Sequence, residues 1–300
     1  MSDRLSLLQR ATKADVRFEP FPYIVLENAL PDDIYAELER SFPSPAQLGI
    51  DGGQNNKRWN YRAELVEKDE RLPDVWKRLI AYQASEAFFH EIVDLFYEGI
   101  HKRYPKQFPS IEYMRGMRVG TRGKDSFRRK DVLMDAMISG NTPVQSPTSV
   151  RTTHIDNGRK LVSGLFYMRH PQDDSTGGDL TISRFKPAYA DVASKAALFD
   201  GNYVDDKNLE VVETVRYQKN CLVLFINSID SLHGVTVRQQ TPHGRYFVNL
   251  VGEVVTRLYR NKNGHPAYVD LRRPMDTGIF PPMQVVLQRL KGNRGQILTD

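Results

Sequence analysis

The chain has 300 residues, of which 40% are hydrophobic and 26% charged, a balance typical of a soluble globular protein that can bury its own core. No stretch approaches the ~18 consecutive apolar residues that a membrane-spanning helix needs, and we expect no signal peptide. The one cysteine, Cys221, excludes an internal disulfide and is expected to be a small buried residue of a cytoplasmic protein. The formal charge of +5 makes the chain mildly basic.

Basic residues concentrate in two places, the segment from Arg122 to Lys130 and the tail from Arg257 to Asp300. Both fit a solvated surface, and both also fit attraction to an anionic partner such as an acidic substrate, a phospholipid surface or a nucleic acid. The tail is poor in aromatic residues that would stack on bases, so we do not expect a nucleic-acid partner. Peripheral contact of this tail with the inner face of a membrane remains an interpretation.

The first third of the chain is predicted to be mainly helical. Tyr23 to Leu26 reads as a strand, and Pro31 opens a helix that runs to Ser41, because proline and early acidic residues favour a helix start. The glycine- and asparagine-rich segment from Leu48 to Lys57 is expected to be a loop. Leu72 to Tyr104 is predicted to form two helices from its three- and four-residue apolar spacing.

From Ser110 onward, short apolar runs alternate with turn residues, which predicts many short strands in a sandwich or barrel. The predicted strands are Ile111 to Val119, Val132 to Ile138, Ser149 to Ile155, Leu161 to Met168, Asp179 to Phe185, Glu210 to Tyr217, Cys221 to Ile226, Gly234 to Arg238, and Arg245 to Val255. A short helix is expected at Pro282 to Lys291. The fold class is therefore mostly β with flanking helices (α+β).

His154 and Asp156 stand two residues apart in an extended segment, where strand alternation places both side chains on one face. A single His-x-Asp pair is weak evidence, but its context adds weight. Asp156 opens a turn that ends at Gly158, and Gly177-Gly178 leads into another strand through a tight turn that needs glycine. His233 begins a later extended segment, far enough along the chain for several antiparallel strands to intervene. Two imidazoles and one carboxylate on one face of a metal leave three positions open, an arrangement suited to ferrous iron.

The motifs HIDNGRKLVSGLFYM, TGGDLTI, NCLVLFINSIDSLHGVT and GRYFVNLVGE, in this order, resemble the iron(II)/2-oxoglutarate-dependent oxygenases of the prolyl-hydroxylase-like branch. The resemblance covers about Tyr113 to Val255. It implies a double-stranded β-helix core (jelly-roll, cupin-like) buttressed by the N-terminal helices. We expect one oxygenase domain over 1–300, with a helical support at 1–110, the β-core at 111–258 and a basic extension at 259–300.

The resemblance also implies roles for individual residues. His154, Asp156 and His233 would hold Fe(II) as the catalytic metal centre. Arg245 would pair with the distal carboxylate of 2-oxoglutarate, because a guanidinium matches a carboxylate with two parallel hydrogen bonds. Arg238 is a rival for this role, lying nearer to His233 but outside the Arg-Tyr-Phe context.

Three more residues are cosubstrate candidates. Tyr167 lies where this branch often places a hydroxyl on the same carboxylate, although it also reads as a core aromatic residue. Alternation puts Ser163 on the face of Tyr167 and Asn249 on the face of Arg245, so both could face the cofactor.

The implied function is a dioxygenase that uses Fe(II), 2-oxoglutarate and O₂, with ascorbate as a supporting reductant, to hydroxylate an unactivated C–H bond while releasing succinate and CO₂. Loops set the substrate, and a small molecule or saccharide is expected, including an anionic or lipid-linked sugar such as the lipopolysaccharide sugar acid Kdo. Two alternatives stay open: a hydroxylase of protein or peptide side chains, and a non-catalytic cupin-like metal-binding domain.

Overall fold

A computed structural model describes residues 5–189, 191–262 and 265–268 of the chain. The described part contains the helices α1 (Asp32–Arg40), α2 (Ala63–Lys68), α3 (Asp74–Gln83), α4 (Glu86–Arg103), α5 (Ile111–Arg115) and α6 (Val192–Ala196). Its strands are β1 (Tyr23–Glu27), β2 (Arg58–Tyr61), β3 (Val119–Thr121), β4 (Val132–Asn141), β5 (Lys160–Tyr167), β6 (Leu180–Phe185), β7 (Phe199–Asp200), β8 (Tyr203–Val204), β9 (Leu209–Val215), β10 (Cys221–Ile226), β11 (Leu232–Val235), β12 (Arg245–Val254), β13 (Tyr259–Lys262) and β14 (His265–Tyr268).

Two sheets form the β-core, and the chain passes repeatedly between them. The larger sheet has the order β1-β10-β5-β12-β4-β2, with β3 added beside β4, and the smaller one has the order β11-β6-β9. From β4 the chain visits the larger sheet at β5, the smaller at β6 and β9, and then alternates through β10, β11 and β12. This alternation between facing antiparallel sheets is the topology of a jelly roll, or double-stranded β-helix. The predicted fold, mostly β with flanking helices, is confirmed.

The two faces of the larger sheet pack against different partners, because side chains alternate along a strand. On β10, Leu222 and Leu224 belong to the large apolar cluster that includes the helices, whereas Val223 and Phe225 belong to the interior of the barrel with Phe247 of β12. A strand buried on both faces reads as a continuous apolar run, which is what Cys221–Ile226 shows.

Most elements lie where the sequence predicted them. The strand at Tyr23, the helix that starts after Pro31 and the two helices between Leu72 and Tyr104 are all present, and the segment from Leu48 to Lys57 contains no helix and no strand. Helix α4 begins after Ser85, whose side chain accepts a hydrogen bond from Phe88 N.

One predicted strand, Ile111 to Val119, is wrong for most of its length. Ile111–Arg115 is the helix α5, and only Val119 enters β3. The reason is local: the Ser110 side chain accepts a hydrogen bond from Tyr113 N, and Glu112 adds a negative charge to the first turn. This cap favours a helix over the extended form that the apolar residues suggested.

The segment Ser149 to Ile155 is extended but is not a regular strand. His154 forms isolated bridges with His233 and with Tyr203, and Arg151 O accepts a hydrogen bond from Val235 N, so this segment runs along β11 with irregular pairing. Between β6 and β9 lie the short elements α6, β7 and β8.

The N-terminal third contributes strands as well as helices. β1 pairs with β10 at one edge of the larger sheet, and β2, which the sequence did not reveal, pairs with β4 at the other edge. In the described part of the chain, no helix is both long and apolar enough to cross a membrane. The predicted helix at Pro282 to Lys291 lies outside the described residues.

Candidate metal centre

The structure brings His154, Asp156 and His233 together. All three are buried, and one potential ligand atom from each lies within 4.8 Å of the others. The two histidines are cross-strand neighbours: His154 N donates to His233 O at 2.9 Å, and His233 N donates to His154 O at 3.0 Å. Asp156 follows His154 by two residues and therefore projects to the same side.

Both imidazoles are held in the form that a metal needs. His154 Nδ1 lies 2.8 Å from Thr152 O, and His233 Nδ1 lies 2.9 Å from Ser231 O. A carbonyl oxygen only accepts, so each Nδ1 carries a proton and each neutral ring presents an unprotonated Nε2. Burial, and then the neighbouring His233 and Arg151, hold the pKa of His154 well below its ordinary value, and burial likewise lowers the pKa of His233. The neutral form is therefore favoured in both.

Asp156 is fixed as a carboxylate. Its Oδ1 lies 3.0 Å from Lys160 Nζ, and its Oδ2 accepts a hydrogen bond from Ser163 Oγ at 2.6 Å. Burial alone would raise the pKa of Asp156. Lys160, the two neighbouring imidazoles and Arg151 together outweigh burial, so the pKa of Asp156 lies well below its ordinary value. Two neutral imidazoles and one ionised carboxylate are a donor set that fits a divalent transition metal.

Arg245 lies deeper in the same barrel. Only 2% of its surface is exposed, its Nε donates to Gly178 O at 2.7 Å, and its Nη2 donates to Tyr167 Oη at 3.0 Å. Its Cζ lies 4.9 Å, 5.1 Å and 5.2 Å from the ring centroids of Tyr167, Tyr217 and Phe247. Among the described residues it forms no ion pair with an acidic side chain. A buried guanidinium without a counterion is costly, so this position favours binding of an anion.

Gly177 and Gly178 build the turn that supports Arg245. Both have φ of +78°, the left-handed region that favours glycine, and a Cβ added to Gly177 would lie 1.9 Å from Val237 O. The predicted need for glycine in this turn is confirmed.

The rival arginine, Arg238, is engaged elsewhere. Its Nη2 lies 2.8 Å from Asp173 Oδ2, and its Nε donates to Ser175 Oγ at 3.1 Å. Both members of this ion pair are buried. Arg238 therefore already has a counterion, whereas Arg245 has none among the described residues. This difference agrees with the prediction that Arg245, rather than Arg238, binds the carboxylate.

Solved structures similar to this chain include prolyl hydroxylases and the protein HygX. A prolyl-4-hydroxylase from Pseudomonas putida is 12% identical, with 85% of this chain and 99% of that chain covered and a TM-score of 0.41. A Trichoplax adhaerens prolyl hydroxylase, solved with a hypoxia-inducible-factor peptide fragment, is 12% identical, with 84% and 89% covered and a TM-score of 0.37. HygX from Streptomyces hygroscopicus, solved with nickel and 2-oxoglutarate, is 10% identical, with 77% and 82% covered and a TM-score of 0.35.

No protein-family model matches the chain, and no curated protein matches its sequence.

The two remaining candidates occupy different surroundings. Ser163 bonds to Asp156 and also accepts from Asn227 Nδ2 at 2.9 Å, so in this structure its hydroxyl supports the carboxylate. Asn249 lies on the interior face of β12, opposite Leu165 of β5, and is half-buried. A contact of either side chain with a cosubstrate stays a prediction.

The sequence did not reveal several polar residues of this region, among them Lys160, Tyr217, Arg58, Asn141 and Arg151. Lys160 carried a signal, because it follows Asp156 by four residues on the far side of a predicted turn. Arg58 and Asn141 carried none, since they meet Arg245 only through the pairing of β2 with β4 and of β4 with β12.

Proposed function

We propose that this protein is an Fe(II)/2-oxoglutarate-dependent dioxygenase that hydroxylates an unactivated C–H bond. One observation carries the proposal: the buried Arg245, unpaired with any acidic side chain of the described chain, shares a barrel with the His154, Asp156 and His233 cluster. A protein that only stores a metal has no use for a buried unpaired cation at that place, whereas a dicarboxylate cosubstrate bound to the metal needs one.

The metal would be held by Nε2 of His154, Nε2 of His233 and a carboxylate oxygen of Asp156. This donor set on one face of an ion leaves positions for a chelating cosubstrate and O₂. When bound, iron and 2-oxoglutarate supply the oxidising chemistry that hydroxylates the substrate and yields succinate and CO₂.

Arg245 and Tyr167 would bind the distal carboxylate of 2-oxoglutarate. Burial raises the pKa of Tyr167 to about 12 despite the opposing charge of Arg245, so its phenol remains protonated and donates a hydrogen bond. The Arg245 fork, fixed by Gly178 O and by three aromatic rings, presents its remaining N–H groups in a constant direction.

The support around the metal ligands would set their orientation. Thr152 O and Ser231 O orient the two imidazoles, while Ser163 and Lys160 hold the two oxygens of Asp156. Apolar side chains of the barrel interior, among them Phe225, exclude water from the site.

The domain and substrate assignments complete the proposal. We assign one oxygenase domain to 1–300, with support at 1–110, the β-core at 111–258 and an extension at 259–300. The substrate is a small molecule or saccharide, and hydroxylation of a peptide side chain is the alternative that a substrate screen would test. Cytoplasmic location and membrane contact through the tail remain expectations, since most of the tail lies outside the described residues.

The test is succinate formation from 2-oxoglutarate with Fe(II), ascorbate and O₂, comparing wild type with His154→Ala and Arg245→Ala. We expect iron-dependent succinate in the wild type and its loss in both variants, with exposed Arg128→Gln as an unchanged control. In a tightly coupled oxygenase, succinate forms only when the true substrate is bound. The second readout is therefore the metal-to-ligand charge-transfer band of the anaerobic Fe(II) and 2-oxoglutarate mixture. Absence of both signals in the wild type would favour the non-catalytic metal-binding alternative.

A further inference from the structure

Arg58 is half-buried and lies close enough to Arg151, Arg245 and Asp156 for their charges to act on it, and of the three arginines only Arg245 is explained by the cosubstrate. Arg58 of β2 and Arg245 of β12 both lie opposite Asn141 of β4, so all three side chains project from the same face of the sheet. The Cζ atoms of Arg58 and Arg245 each lie 5.2 Å from the centroid of the Phe247 ring, and they are therefore no further apart than twice that distance.

The positive charge of Arg58 has few polar partners in the structure. Its one hydrogen bond among the described residues is a long one, 3.5 Å from Nε to Asn60 Oδ1, and no acidic side chain of that part of the chain forms an ion pair with it. Burial, and then the charges of Arg151 and Arg245, lower the pKa of the Arg58 guanidinium to about 10, with Asp156 opposing the shift. Arg58 is half-buried, and a cation in this position without an acidic partner favours binding of an anion.

Arg151 brings the third guanidinium. Its Nη1 lies 3.7 Å from Asp156 Oδ1, beyond hydrogen-bond distance, and its Cζ lies 5.8 Å from the ring centroid of Tyr203. Lys160 Nζ holds the same Asp156 oxygen at 3.0 Å, so Arg151 is the weaker partner and can contact a second anion.

The charges of the site do not balance. Lys160 and Arg151 lie beside the Asp156 carboxylate, and Arg58 and Arg245 lie against the Phe247 ring, so these four cations outnumber the carboxylate of Asp156. The two positive charges of a ferrous ion and the two negative charges of 2-oxoglutarate cancel each other, so loading the site leaves this excess intact. Asp179, whose charge also acts on Tyr167, removes only one unit of it.

Asn141 adds an independent observation. It is 1% exposed, and neither its Oδ1 nor its Nδ2 has a hydrogen-bond partner. The adjacent Gly140 faces Trp59 and Tyr246, which pack against the helices, so Asn141 faces the barrel interior between the two arginines. A buried amide without a partner costs free energy unless a ligand supplies one.

We propose that Arg58, assisted by Arg151 and the Asn141 amide, binds an oxyanion of the substrate, a carboxylate or phosphate group, inside the barrel beside the metal centre. This inference rests on the proposed function and names its substrate class. It also moves the anion site away from the basic cluster at Arg122 to Lys130. There, Arg122 Nη2 lies 3.7 Å from Glu253 Oε1, and Lys124 forms an ion pair with Glu67.

The experiment uses the full chain loaded with Zn(II), which replaces iron without turnover, and saturated with 2-oxoglutarate so that Arg245 is occupied. Inorganic phosphate and acetate are each titrated in by calorimetry at constant ionic strength, into wild type, Arg58→Gln, Arg58→Lys and the surface control Arg128→Gln. We expect saturable binding of one probe to the wild type and the control, about 10- to 100-fold weaker binding to Arg58→Gln, and an intermediate value for Arg58→Lys.

The titrations distinguish the following outcomes. Preference for phosphate or for acetate identifies the group that the substrate carries. Equal affinity in wild type and Arg58→Gln, or no saturable binding of either probe to the 2-oxoglutarate-loaded wild type, overturns the proposal. If 2-oxoglutarate itself fails to bind, the proposed function fails, while Arg58-dependent binding of phosphate or acetate to the Zn(II) protein would still establish the anion site.

Discussion

His154 and His233 are direct cross-strand partners, joined by a reciprocal pair of backbone hydrogen bonds of 2.9 Å and 3.0 Å, with ring centroids 4.3 Å apart. Segments far apart in the sequence thus deliver their imidazoles to one point through backbone pairing. Because the pairing fixes both main chains, and a carbonyl orients each ring, the two Nε2 atoms are positioned before any metal binds.

Replacing a histidine of this pair removes a metal ligand without removing the backbone pairing. Loss of a hydrogen bond that supports a metal ligand lowers metal affinity about 10- to 100-fold. We expect His154→Gln, which removes a ligand itself, to weaken Fe(II) or Co(II) binding by more than this. His170→Gln, a change at an exposed histidine, is the matched control and should bind metal as the wild type does. Metal titration followed by Co(II) absorbance measures both, and equal affinity in all three proteins would contradict the assignment.

Arg245 is expected to set the affinity for 2-oxoglutarate through geometry as well as charge. Arg245→Lys keeps the charge but loses the fork, so we expect the Kd of 2-oxoglutarate to rise about 10- to 100-fold, with a smaller rise for Tyr167→Phe. Anaerobic titration of the Fe(II) protein provides the measurement. The control is Arg184→Lys, at an exposed arginine paired with Glu210. Unchanged affinity in Arg245→Lys would remove this residue from the cosubstrate site.

Much of the fold and site follows from local patterns in the sequence. Period-two alternation around His154 and Asp156, apolar runs such as Cys221–Ile226, and the Gly177-Gly178 turn each depend on neighbours within a few residues. Such signals survive without knowledge of the tertiary structure, which is why the β-core and the three clustered side chains could be anticipated.

Other features depend on pairing between distant segments, and the sequence did not reveal them. Strand β2 has four residues and exists because it pairs with β4, and this pairing is what brings Arg58 beside Arg245. Ser163 was correctly placed on an inward face, but whether its hydroxyl met a cofactor or Asp156 depended on the turn that returns Asp156 over β5. At Ile111, a local cap overrode the apolar pattern.

Ser163 is expected to act on the metal through Asp156. In Ser163→Ala, Asp156 Oδ2 loses its donor and Asn227 Nδ2 loses its acceptor, so we expect metal affinity to fall about 10- to 100-fold while the Kd of 2-oxoglutarate at saturating metal changes little. Ser183→Ala, a change at another buried serine of the barrel, should leave metal affinity unchanged. A loss of 2-oxoglutarate affinity alone would instead support direct contact with the cosubstrate.

The stability of the metal-free protein should depend on pH through the two buried histidines. Burial holds the pKa of His154 and His233 below 6.5, so in acid the unfolded chain binds protons that the folded chain does not. Stability is therefore full above about pH 6.5 and falls as the pH drops below it, by up to about 1.4 kcal/mol per pH unit for each histidine. Denaturant unfolding of the chelator-treated protein measures this slope. The slope should be shallower in the His154→Gln/His233→Gln double variant and unchanged in His170→Gln; equal slopes in all three would refute the prediction.

Breaking the buried ion pair of Arg238 and Asp173 should lower the free energy of unfolding more than removing Arg245 does. Asp173→Asn leaves the Arg238 guanidinium, whose side chain is 2% exposed, without its counterion, and we expect a loss of about 3–5 kcal/mol in unfolding free energy. Arg245→Met removes a cation that has no acidic partner in the described chain, so it should not incur that penalty although it abolishes 2-oxoglutarate binding. Urea unfolding of both variants, with the neighbouring exposed Asp174→Asn as control, separates the two roles. If Arg245→Met proved as destabilising as Asp173→Asn, Arg245 would be part of the structural framework, and the proposed 2-oxoglutarate site would lose its main support.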